Sequence, residues 1–119
     1  MGVTRQGITI MKIAVIGSRG ISRIDCDRIG ARHGDVIVSG GARGVDSIAA
    51  AWARRKGLAV VEHLPDYASY GKAAPHVRNR KIVAEADRIV AFWDGRSRGT
   101  KSVIERARRY GKQVDVVVC

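Results

Sequence analysis

No apolar run in this 119-residue chain approaches the ~20 residues needed to cross a bilayer, so no membrane partner is expected. Cysteine is almost missing: Cys26 and Cys119 lie far apart, which excludes a disulfide framework and a cysteine-based zinc pattern and leaves a reducing cytoplasm as the expected setting. His33, His63 and His76 are scattered without carboxylate or cysteine companions at metal-ligand spacing, so neither a metal site nor a cofactor is expected. With one Phe, two Trp and three Tyr, aromatics are too few for an extended base-stacking platform. The N-terminus has no signal-peptide layout, because Lys12 interrupts its apolar stretch and no small-residue cleavage site follows. Gln6 stands where N-myristoylation wants Ser or Thr.

What is abundant is positive charge. Twenty-two Lys and Arg against eleven Asp and Glu give a formal charge of +11, which favours anionic ligands and leaves nucleic acid open as a partner. Many of these cations have a structural role at hand. Arg54, Arg55 and Lys56 close one helical pattern and Arg106, Arg108, Arg109 and Lys112 close another, where cations complement the helix dipole. The wealth of Ala, Arg, Gly and Val is also what a GC-rich genome produces whatever the function. The length fits one domain.

Residues 1–10 carry no clear pattern, and an ordered domain spanning residues 12–119 is expected after an N-terminal extension of residues 1–11. Apolar runs recur at residues 13–17, 36–38, 59–61, 88–93 and 114–118. Most are short, β-branched and apolar on both faces, as buried parallel strands are. Helical periods lie between them. Residues 43–56 repeat Val45, Ile48, Ala49, Trp52 and Ala53 at three and four, and residues 99–110 turn Val103, Ile104, Ala107 and Tyr110 inward. A third helix is expected over residues 75–86, opening on a proline, and a fourth over residues 21–33, anchored only by Ile24 and Ile29. Five strands alternating with four helices predict an α/β fold, a Rossmann-like doubly wound parallel sheet of order 3-2-1-4-5.

In such a sheet the ligand crevice opens at the carboxyl ends of the strands where the order reverses. Three polar, glycine-bearing turns follow strands 1, 2 and 4: Gly17-Ser18-Arg19-Gly20, the segment from Ser39 to Asp46, and Asp94-Gly95-Arg96-Ser97-Arg98-Gly99-Thr100. All three meet at one rim. In Ser39-Gly40-Gly41-Ala42-Arg43-Gly44-Val45-Asp46 a strand runs through glycines directly into a helix, an arrangement that brings backbone amides close to an anion without an intervening Cβ. A tight turn without a ligand uses the same residues. The amides of Gly40, Gly41, Ala42 and Arg43 would hold a phosphate, and Arg43, a cation where the helix dipole disfavours one, would add a bidentate contact. Asp46 reads as a capping or dipole-pairing carboxylate, and Arg19 either binds the same anion or pairs with Asp94. Asp94 would accept from a ribose, although an Asp-Gly turn explains it equally well. Ser97, Gly99 and Thr100 open a helix, where Thr100 serves as a cap or all three donate to a second phosphate.

These motifs, taken with Arg78-Asn79 and Phe92-Trp93-Asp94-Gly95, resemble the SLOG superfamily, which unites the Smf/DprA DNA-processing proteins with the Lonely-guy nucleotide hydrolases. More narrowly, the chain resembles the small stand-alone branch related to YspA and YpsA in bacteria and phages, with motifs in the same order across residues 12–118. The resemblance implies a Rossmann-like fold that binds nucleotides or nucleotide-derived ligands. It is also the resemblance, not spacing, that singles out Arg78 and Asn79.

The superfamily's hydrolases carry Pro-Gly-Gly-x-Gly-Thr-x-x-Glu at the start of the helix after strand 4, the glutamate assisting N-glycosidic cleavage. Here Gly99-Thr100 matches, but the glutamate position is Val103, and Glu105 points ~200° away from it at ~100° per residue. The expected function is therefore binding of a nucleotide or nucleotide-derived phosphate ligand, as a sensor. A nucleotide N-glycosidase or phosphoribohydrolase is the second reading, and DprA-like single-stranded DNA binding the third. A homodimer is expected, paired through helices.

Overall fold

The computed structural model describes Gly2, Val3 and residues 9–119. Near the N-terminus β1 (Gly2–Val3) pairs antiparallel with β2 (Thr9–Ile10), a two-stranded ladder separate from the main sheet. The five apolar runs become β3 (Lys12–Gly17), β4 (Val36–Ser39), β5 (Ala59–Glu62), β6 (Arg88–Trp93) and β7 (Gln113–Val118), all parallel. Their order is β5-β4-β3-β6-β7, the expected 3-2-1-4-5 counted over the parallel strands. The fold is an α/β doubly wound, Rossmann-like sheet.

Strand alternation splits the core between two faces. Ile13 and Val15 of β3 join Ile37, Val90 and Phe92 beneath α1 (Val45–Arg55), which contributes Val45, Ala49 and Ala53. Ala14 and Ile16 point the other way, toward α3 (Ala74–Glu85) and α4 (Arg98–Arg109), which bury Ile82, Val83, Val103, Ile104 and Ala107. A one-turn helix, α2 (Tyr67–Tyr70), precedes α3 in the connection from β5. The helix expected over residues 75–86 begins one residue earlier and carries its proline in the first turn.

The helix expected over residues 21–33 does not form. Only a 3-10 turn, Cys26–Ile29, occupies that connection. The Asp25 side chain accepts from the Asp27 amide, and Gly30 ends the turn in the left-handed region at φ 67°. Ile29 is buried against the α1 face and Ile24 packs beside it, so two anchors are satisfied without a helical stripe. Among the described residues no helix is long and apolar enough to cross a membrane.

Candidate ligand-binding crevice

The pairing of β3 with β6 sets Gly17 opposite Phe92, and the Ser18 amide donates to the Phe92 carbonyl at 3.1 Å. The turns leaving these two strands are thereby held side by side at the switch point of the sheet. A cavity of about 490 Å³ opens there, of the size that small-molecule sites have. Gly17, Ser18, Arg19, Ala42, Asp46, Arg78, Asn79, Asp94, Ser97, Gly99 and Thr100 all line it. A second cavity of about 460 Å³ adjoins it and is lined by Gly40, Gly41 and Arg43. Arg19, Ala42 and Arg78 line both, so the two compartments share a wall. Of the residues singled out in the sequence, Ser39, Gly44 and Gly95 border neither cavity.

Those three shape the turns around the cavities. Ser39 is fully buried, and its hydroxyl accepts from the Gly41 amide at 3.2 Å. Gly44 is the N-cap of α1 at φ 78° and ψ −126°, a conformation side chains resist, and a Cβ there would lie 3.0 Å from the Ile21 carbonyl. Gly95 follows Asp94 at φ 80°, completing the turn. Gly17 admits α1 to the sheet: a Cβ on it would run into the Val45 side chain and come 2.8 Å from the Phe92 carbonyl.

The amides of the Gly40–Arg43 turn are less open than its composition implies. Gly41 donates to Ser39 at 3.2 Å and Ala42 donates to Asp46 Oδ2 at 3.1 Å. Two of the four expected phosphate donors therefore have partners within the chain. Asp46, second residue of α1, reaches back to cap the turn that precedes its own helix. Burial pushes its carboxyl above the usual carboxylate range, opposed by the Ala42 amide and the Arg78 guanidinium. Arg43 lies before the N-cap rather than in the first helical turn, and it is exposed.

Arg78 is half-buried and fixed. Its Nη1 donates to the Gly40 carbonyl at 2.6 Å, and its Nε donates to Asn79 Oδ1 at 2.8 Å. It thus ties α3 to the turn after β4. Arg19 is exposed and makes no ion pair with Asp94 among the described residues. Asp94 accepts instead from the amides of Ser97 at 2.7 Å and Arg96 at 2.8 Å, and these two hold its carboxyl below the usual range.

Beneath this turn lies a cluster of hydroxyls. Ser18 and Thr100 are buried with their oxygens 3.4 Å apart, the Asp94 amide donates to Ser18 Oγ at 3.3 Å, and the Ser97 hydroxyl donates to Thr100 Oγ1 at 3.3 Å. Ser97 is the N-cap of α4, accepting from the Thr100 amide at 3.4 Å. The first turn of α4 holds no acidic residue, and the Asp94 carboxylate that accepts from the Ser97 amide is the anion at its positive dipole end. Val103, at the position of the hydrolase glutamate, lines the cavity, while Glu105 is exposed and pairs with Lys101 at 3.9 Å.

Sequence reasoning passed over His76 and Pro75, which line the first cavity, and Tyr67 and Pro65, which line the second. All four follow β5, whose carboxyl end shares the rim with the other turns. That position was the available signal. Among the described residues no group of His, Cys, Asp and Glu is gathered as a metal site.

The chain is thus a doubly wound, Rossmann-like domain with an arginine-lined crevice at the switch point of its sheet. The family model of the YspA, cpYpsA-related SLOG family matches residues 11–70, half of the chain. The Gene 61 protein of Mycobacterium phage D29 is 42% identical over 85 residues, 66% of this chain and 68% of that protein. The chain belongs to the YspA- and cpYpsA-related SLOG family. No solved structure matches it. The matched residues contain the turns after β3 and β4, whereas Arg78, Asn79 and the turn from Asp94 to Thr100 lie beyond them.

Proposed function

We propose that the crevice binds a nucleotide or nucleotide-derived phosphate ligand. The observation that carries this reading is the junction of two cavities at Arg19, Ala42 and Arg78, which follow β3, follow β4 and stand on α3 respectively. Arg19 and Arg43 have no carboxylate partner among the described residues, and Arg78 is already oriented by Gly40 and Asn79. The phosphate contacts pass to Arg19 and Arg78, since the Gly41 and Ala42 amides of the glycine turn donate to Ser39 and Asp46. Asn79, Ser97 and Asp94 offer donors and acceptors for a ribose and base. SLOG family membership supports the ligand class.

Val103 supports binding rather than cleavage, because an apolar side chain stands where the hydrolases carry their acid. One observation favours hydrolysis of an N-glycosidic bond as a second reading: Asp46 is a buried carboxyl with a raised pKa on the cavity wall, the kind of group acid–base chemistry uses. A thermal-shift panel of nucleotides tests the first reading. A saturable, base-dependent rise in melting temperature is expected, with apparent affinity about tenfold weaker in Arg19→Ala, whose exposed side chain has no structural duty. No shift with any nucleotide, or an unaltered response in Arg19→Ala, would count against it. Free base released over time would establish the second.

A further inference from the structure

The second cavity differs in chemistry from the first. Its lining combines Tyr67 and Pro65 with three arginines, Arg19, Arg43 and Arg78, and includes no carboxylate. Tyr67 is 58% exposed although it is a large aromatic, and Leu64 and Tyr70 beside it are exposed as well. Three of the five exposed large hydrophobics among the described residues thus fall on one seven-residue stretch, and two of the three tyrosines lie on it. The stretch is built, not loose: Asp66 Oδ1 accepts from the Ser69 amide at 3.1 Å and starts α2, fixing Tyr67 at the rim. An aromatic ring beside guanidinium groups is the pairing that receives a nucleobase and its phosphate.

Size leads to the same place. Each cavity alone is at the scale of one small ligand, and the two adjoin across Arg19, Ala42 and Arg78, which line both. A single nucleotide over Ser18 and Thr100 would leave Tyr67, Pro65 and Arg43 without an occupant.

We propose that the second cavity is a nucleotide subsite and that the ligand carries two nucleotide units, one over Ser18 and Thr100, the other stacked on Tyr67 with its phosphate on Arg43. This rests on the nucleotide-binding reading of the crevice and extends it from a mononucleotide to a dinucleotide. Arg78 lies at the junction, where the linking phosphates would pass.

The test is calorimetric titration of the full chain with the four 5′-mononucleotides and the matching homodinucleotides, joined by a 3′,5′-phosphodiester or a 5′,5′-pyrophosphate. At least one dinucleotide is expected to bind about tenfold or more tightly than its mononucleotide, the gain of one stacked base. Tyr67→Ala removes that gain and leaves the mononucleotide within about twofold, Tyr67→Phe keeps it, and Arg43→Ala reduces it, all with unchanged melting temperatures because both side chains are exposed. Equal binding of mononucleotide and dinucleotide, or a gain that survives Tyr67→Ala, overturns the subsite and leaves the binding reading standing. Failure of every nucleotide overturns both. Ten-nucleotide strands that bind about tenfold more tightly still, with steep salt dependence, overturn the dinucleotide in favour of a single strand.

Discussion

Asp46 meets two opposing demands. Its carboxyl must accept from the Ala42 amide to close the turn after β4, yet it is buried, and burial raises its pKa against the pull of that amide and of Arg78. Between the unfolded value of about 3.9 and the higher folded value, the folded chain holds more protons than the unfolded one, so this group makes stability fall as pH rises. Asp46→Asn keeps an acceptor for Ala42 and cannot ionise. Urea unfolding at a series of pH values is expected to show the wild type losing stability relative to Asp46→Asn from about pH 4 upward. Parallel pH profiles would assign the slope to another group. Gly17 answers a steric demand of the same turn cluster. Gly17→Ala drives a Cβ into Val45 and toward the Phe92 carbonyl, and is expected to cost about 1–3 kcal/mol in urea unfolding. Gly20→Ala, with nothing within 4 Å of its added Cβ, should stay within about 0.5 kcal/mol and serves as its control.

At the scale of elements, local chemistry was legible where it acts alone. β-branched runs marked all five parallel strands, three- and four-residue spacings marked α1 and α4, and a proline in the first turn marked α3. The 3-10 turn Cys26–Ile29 was not legible as such, since Asp25 and Gly30 punctuate a segment whose two isoleucines also fit a helix. The partners of the glycine-turn amides were hidden for another reason. Asp46 reaches back across four residues and Arg78 reaches Gly40 across 38, and neither link leaves a period in the sequence. The sequence offered Thr100 as the cap of α4, whereas the N-cap is Ser97, whose hydroxyl accepts from the Thr100 amide, and this cap is testable. Ser97→Ala removes the acceptor of the Thr100 amide and the donor to Thr100 Oγ1, and should cost about 1 kcal/mol in thermal or urea unfolding. Ser97→Asp, an equally good cap with charge matched to the dipole, should retain most of that stability. If the alanine variant proved as stable as wild type, the cap would contribute nothing to the rim of the crevice.

For the whole molecule the question is what the +11 charge serves. Each helix runs back along the sheet, so the last turns of α1 and α4, with Arg55, Arg106, Arg108 and Arg109, lie at the end opposite the crevice, while Arg54 reaches forward to pair with Glu62 at the carboxyl end of β5. A six-residue strand separates the two ends by about 20 Å, more than twice the screening length of roughly 8 Å at physiological salt. Those arginines complement helix dipoles and contribute little to the field at Arg19, Arg43 and Arg78. Replacing Arg106, Arg108 and Arg109 together by glutamine is therefore expected to lower the melting temperature while leaving the dissociation constant of a bound nucleotide within about twofold at physiological salt. A single strand laid over the basic surface would behave otherwise. Its affinity would fall with these substitutions, and making six to ten phosphate contacts it would weaken by about 10³–10⁵ between 50 and 200 mM salt. A small ligand held by two or three guanidinium groups loses far less over that range. Titrations of the triple variant at both salt concentrations thus separate the two uses of the charge, and a joint loss of nucleotide affinity and salt sensitivity would move the binding surface from the crevice to the helix ends.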